Sequence, residues 1–118
     1  MLPASVPIWL AAEPVDMRLG IDGLSAIVAQ RWKLDPYAGH LFLFVGRRKD
    51  RIKILVWDRS GFTLYYKRLE RGRFQAPKPA GGGVTAQIDS VTLAMMLDGI
   101  DVRRVARPSA WAPPSRAA

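Results

Sequence analysis

The chemistry most plainly on offer in this chain is the binding of anions. Arg47, Arg48, Lys49, Arg51 and Lys53 fall within seven residues, and Arg59, Lys67, Arg68, Arg71 and Arg73 continue the series. Between Gly46 and Phe74 these ten basic residues face three acids, Asp50, Asp58 and Glu70, a net +7. The whole chain of 118 residues carries +8, so the excess is local. Guanidinium groups bind phosphate oxygens bidentately, and Tyr65 and Tyr66 stand within the series as faces on which bases stack. Trp57 and Phe74 flank it. A plainer reading is available: lysine and arginine guard sheet rims against aggregation, and an amphipathic sheet needs aromatic residues in its core. Solubility alone, however, favours interspersed signs, and seven net charges of one sign point to a polyanion.

Other chemistries have fewer parts. His40 is the only histidine and there is no cysteine, so thiolate ligands, disulfides and cysteine nucleophiles are excluded and a zinc site lacks ligands. His40 is expected to be a satisfied structural imidazole. No glycine-rich phosphate loop with its lysine and hydroxyl residue is present; Gly81-Gly82-Gly83 reads as a hinge. Two-metal nucleotidyl transfer needs carboxylates that hold two cations roughly 4 Å apart. The candidates are Asp16, Asp22, Asp58 and Glu70. Asp22 is placed as a helix cap, Asp58 as a turn residue and Glu70 among arginines. No enzyme activity, metal or cofactor is therefore expected.

The elements that must position the basic series are three short apolar runs. Leu41–Val45, Ile52–Trp57 and Phe62–Leu69 are five to eight residues long and rich in β-branched and aromatic types, as strands are. Short polar connections make them an antiparallel meander of two hairpins, with Gly61 supplying a positive φ in the second turn. Before them, Ile8–Ala12 reads as a strand. A helix follows from an Asp22 cap to about Lys33, its stripe formed by Leu24, Ile27, Val28 and Trp32. Beyond the Gln75–Gly83 linker, Val84–Ile88 reads as a strand, and Asp89 or Ser90 caps a helix over 91–98 that Gly99 stops. Residues 1–100 are thus expected to form one α+β domain. Its antiparallel sheet would be built around the meander, with two helices on one face and the basic residues on the free face and in the loops. Residues 101–118, basic and proline-rich, read as a disordered tail.

No apolar run approaches the ~20 residues of a membrane-spanning helix, and no basic amphipathic helix suggests a membrane surface. Absence of cysteine fits a reducing cytoplasm.

Blocks in order give the chain a family likeness. Met17-Arg18-Leu19-Gly20-Ile21-Asp22-Gly23-Leu24, Gly39-His40-Leu41-Phe42-Leu43-Phe44, Arg47-Arg48-Lys49-Asp50-Arg51-Ile52-Lys53 and Lys67 through Phe74 resemble the small accessory protein TnpB of the IS-sixty-six group of bacterial insertion sequences. The likeness spans roughly residues 6 to 100. It departs at Leu19 and Val45, where family members often carry basic or polar residues. The resemblance implies a role in transposition beside a separate, larger transposase, and it supplies no catalytic mechanism. The expected function is a non-catalytic bacterial accessory factor that binds nucleic acid, transposon-end DNA first, through the basic hairpins. Its alternative is an adapter that grips the transposase without touching DNA. An exposed sheet edge would also permit a homo-oligomer.

Overall fold

The computed structural model describes residues 6–79 and 81–99. It contains strands β1 (Ile8–Ala11), β2 (Leu41–Val45), β3 (Arg51–Asp58), β4 (Gly61–Arg68) and β5 (Thr85–Ile88), with helices α1 (Ile21–Ala26) and α2 (Ser90–Leu97). The fold is α+β, and β2, β3 and β4 form the expected meander. Five strands make one sheet in the order β4-β3-β2-β1-β5.

That sheet is mixed, not antiparallel throughout: β1 runs parallel to β2. The cause lies in the connection, because the segment between them carries α1 and returns the chain to the end of the sheet from which β1 started, as a parallel pair requires. Strand β5 then pairs antiparallel with β1.

The helices lie on opposite faces, which corrects the expectation of one helical face. Leu93 and Met96 of α2 share a core with Ile8, Leu10, Leu41, Leu43, Ile52 and Ile54. Leu24 of α1, together with Val28 and Trp32, packs with Phe42, Phe44 and Leu55. Side chains alternate between faces along a strand, so the unbroken apolar run of β2 serves both cores, and all five of its residues are buried. Neither face of the central strands is left over for the basic residues, although β4 stays largely exposed.

Several local details also differ. Gly20, not Asp22, caps α1, and Asp22 sits in its first turn. The helix continues as a π-helix over Ile27–Arg31, closed by Trp32 N–H donating to Ile27 O and Leu34 N–H to Val28 O, both at 3.0 Å. Asp89 does cap α2, its carboxylate accepting from Thr92 N–H at 2.7 Å, and Gly99 takes a positive φ at the helix end. In the second hairpin the left-handed residue is Arg59 (φ 55°), not Gly61. The tail expected over 101–118 lies outside the described residues.

Candidate nucleic-acid interface

Part of the basic series gathers at one end of the sheet instead of on a face: Arg47, Arg48, Lys49 and Arg51 at the turn after β2, with Arg18, Arg71 and Arg73 beside it. The turn between β2 and β3 is closed by Gly46 N–H to Arg51 O at 3.0 Å and Lys49 N–H to Gly46 O at 2.9 Å, with Lys49 left-handed at φ 66°. Two neighbouring segments clamp this turn. Val15 N–H donates to Val45 O at 3.0 Å, which draws residues 15–18 alongside. Gly46 permits that approach, since a Cβ there would lie 2.6 Å from Met17 Cγ. After β4, Leu69 N–H donates to Asp50 O at 2.7 Å and Phe74 N–H to Lys49 O at 2.6 Å. Arg71 and Arg73 are thereby looped against the same turn as Arg47, Arg48, Lys49 and Arg51.

Between the turn and residues 15–18 lies a cleft of about 460 Å³ lined by Arg18, Arg47, Arg48 and Arg51 together with Asp16 and Asp50. Asp16 is already matched: Arg18 Nη2 and Nε donate to its carboxylate at 2.8 and 3.1 Å. Those side-chain bonds, reinforced by Arg18 N–H, lower the Asp16 pKa from 3.8 to about 2. Asp50 Oδ1 and Arg51 Nε are buried without a hydrogen-bond partner among the described residues. Exposed Arg47, Arg48 and Lys49 form no ion pair among those residues, where the two found join Arg18 to Asp16 and Arg68 to Glu70.

The rest of the expected contact set is dispersed. Lys53 donates its ammonium to Met17 O at 2.7 Å and Leu19 O at 2.9 Å, and sits 5.4 Å from the Tyr66 ring centre. Lys67 donates to Leu97 O at 2.6 Å, at the carbonyl end of α2, where a cation suits the helix dipole. Tyr65 and Tyr66 are 55% and 53% exposed and, as strand neighbours, point to opposite faces. Phe74 belongs to the core. Arg59 lies at the far end of β3, ~25 Å away for eight residues at ~3.3 Å each.

Two features escaped the sequence reading. Arg18 joins the cleft only because Val15 bridges to Gly46 in parallel; its place beside a glycine-bounded helix start was the available hint. Near Arg59, Tyr37, Trp57 and Phe62 pack mutually with ring centres 5.0 to 5.3 Å apart, and Tyr37 is 59% exposed. Its signal was the aromatic pair flanking the Asp58–Gly61 turn.

His40 is structurally satisfied: the Trp9 indole N–H donates to its Nδ1 at 3.1 Å. No group of three or more potential metal ligands occurs among the described residues, and none of their helices is long and apolar enough to cross a membrane.

Residues 6–107 match the family model described as IS66 Orf2 like protein. Two proteins of Sinorhizobium fredii (strain NBRC 101917 / NGR234) are similar. "Uncharacterized protein y4hO" is 40% identical over 105 residues, covering 87% of this chain and 90% of its own. "Uncharacterized protein y4jC" is 38% identical over 100 residues, covering 85% and 84%. No solved structure matches the chain.

Proposed function

Because the chain belongs to the IS66 Orf2-like family of insertion-sequence accessory proteins, we propose that it serves transposition by holding nucleic acid, transposon-end DNA in particular, against the basic end of its sheet. One observation carries this reading: Arg18, Arg47, Arg48, Arg51, Arg71 and Arg73 converge around one clamped turn. Phosphates of a backbone entering the cleft would meet guanidinium forks from two sides, and the exposed Arg47 and Arg48 would lead it in. The contacts are to phosphate, so they position a duplex without reading its bases. The function needs no catalytic step.

A salt series on purified protein with transposon-end duplex, unrelated duplex and RNA tests this. With Arg18 held by Asp16, five neutralised phosphates give a slope of about −4.5 in log affinity against log salt. Arg47→Glu with Arg48→Glu should flatten it and weaken binding at every salt. A flat response in the parent protein, or unchanged binding by the double variant, refutes the proposal. Incubation with duplex and magnesium should leave the DNA uncut.

A second reading, an adapter for the transposase, draws on the Tyr37–Trp57–Phe62 cluster beside Arg59. Tyrosine, tryptophan and arginine are the residue types that dominate protein interfaces. Co-purification with the transposase from nuclease-treated extract, lost in Tyr37→Ala but kept in Arg47→Glu, would support it. Both contacts fit one molecule, since they occupy opposite ends of the sheet.

A further inference from the structure

Strand β4 ends the sheet on one side, and among the described residues no strand pairs with its outer edge. It is eight residues long, whereas the opposite edge strand, β5, has four. The groups on this edge can be assigned. Leu69 N–H donates to Asp50 O in register with the β3–β4 ladder, and in an antiparallel ladder hydrogen-bonded and non-bonded pairs alternate. Positions 61, 63, 65 and 67 therefore bond inward to β3, while Phe62, Leu64, Tyr66 and Arg68 turn N–H and C=O outward. No proline or glycine interrupts residues 62–68. An edge of this kind templates another strand.

We propose that the occupant is a second copy of this chain, two β4 strands pairing antiparallel about a two-fold axis at Tyr65 to give one ten-stranded sheet. The register follows from the sequence of the edge. An axis perpendicular to the sheet keeps each residue on its own face, so the numbers of opposed residues sum to an even value. Centring on Tyr65 opposes Phe62 to Arg68 and Leu64 to Tyr66, engaging all four outward residues of both copies. Centring on Leu64 leaves Arg68 opposite the turn, and centring on Tyr66 leaves Phe62 beyond the strand end. The Tyr65 register also keeps like charges from facing each other: Lys67 meets Thr63, and the Arg68 guanidinium meets the Phe62 ring. Each copy carries +8, so screening by salt favours pairing. That dependence is opposite in sign to phosphate binding, which salt weakens, and the dimer stands or falls independently of the proposed function.

The full chain has no cysteine, so one substitution provides a cross-linking probe. Opposed residues of a non-hydrogen-bonded pair have Cα atoms ~4.5 Å apart, within disulfide reach. Oxidised Tyr65→Cys should form disulfide-linked dimers roughly tenfold or more faster than Thr63→Cys, whose copies this register separates beyond that reach. Sedimentation of the parent protein should shift from monomer towards dimer as salt rises. Tyr65→Lys, which sets two ammonium groups face to face at an exposed position, should sediment as monomer, and Tyr65→Phe as dimer. A parent protein that stays monomeric at every salt and protein concentration overturns the proposal and leaves the edge to a strand from another protein. Faster cross-linking at Leu64→Cys or Tyr66→Cys overturns the register.

Discussion

Lys49 shows how a single residue balances conformation against charge. It holds φ 66° at the tip of the first hairpin, where a side chain costs roughly 1 kcal/mol relative to glycine. Lys49→Gly should therefore raise unfolding free energy by about 1 kcal/mol in urea titration, yet lower polyanion affinity by removing a cation beside the cleft. Asp16 works in the other direction, occupying the Arg18 guanidinium. Asp16→Asn should free that guanidinium and steepen the salt slope by up to about 0.9, one more phosphate. The parent ion pair has a defined pH window. Its carboxylate is held at about 2 against an ordinary 3.8, so its contribution is complete above the ordinary value and disappears as pH falls through about 2. Binding measured between pH 5 and pH 8 (roughly) should show no step from Asp16.

At the scale of elements, the lysines of the strands act as internal ties. Lys53 fastens the segment leading into α1 to β3 through two backbone carbonyls. Lys53→Met keeps the aliphatic stem but leaves those carbonyls without their charged donor, a loss of about 1.5–3 kcal/mol in stability. The salt slope of the folded variant should stay at the parent value, whereas Arg48→Ala should lower the slope and leave stability within ~0.5 kcal/mol. In sequence the two are indistinguishable, basic residues five positions apart. One lies on a strand beside Phe44 and α1, the other on a turn, with no ion pair among the described residues.

Across the whole molecule, two cores back one sheet. Leu24 belongs to one and Leu93 to the other, both fully enclosed, so Leu24→Ala and Leu93→Ala should each cost about 2–5 kcal/mol. The double variant should be additive within ~0.5 kcal/mol, because the substituted sites share no neighbour across the sheet. Strong coupling in denaturant titrations would contradict the two-faced arrangement. That arrangement also displaces part of the charge: with helices packed over the central strands on both faces, the arginines of the first turn sit at one end of the sheet.

Sequence by itself determined the elements and the charge. Five strands and two helices were legible because apolar periodicity and turn chemistry act over a few neighbouring residues, and Leu41–Val45 was read to its bounds. Membership in the family followed from ordered blocks of local sequence. Tertiary structure alone decided the parallel β1–β2 pair, the two helical faces and the entry of Arg18 into the cleft, since each depends on segments tens of residues apart. The five-residue apolar run of β2, with no polar alternate, already carried the sign of a strand covered on both sides. Which cations remain open to a ligand was settled by three-dimensional proximity: an ammonium within 3 Å of a carbonyl (Lys53, Lys67) is spent, and no spacing of residues announces that in advance.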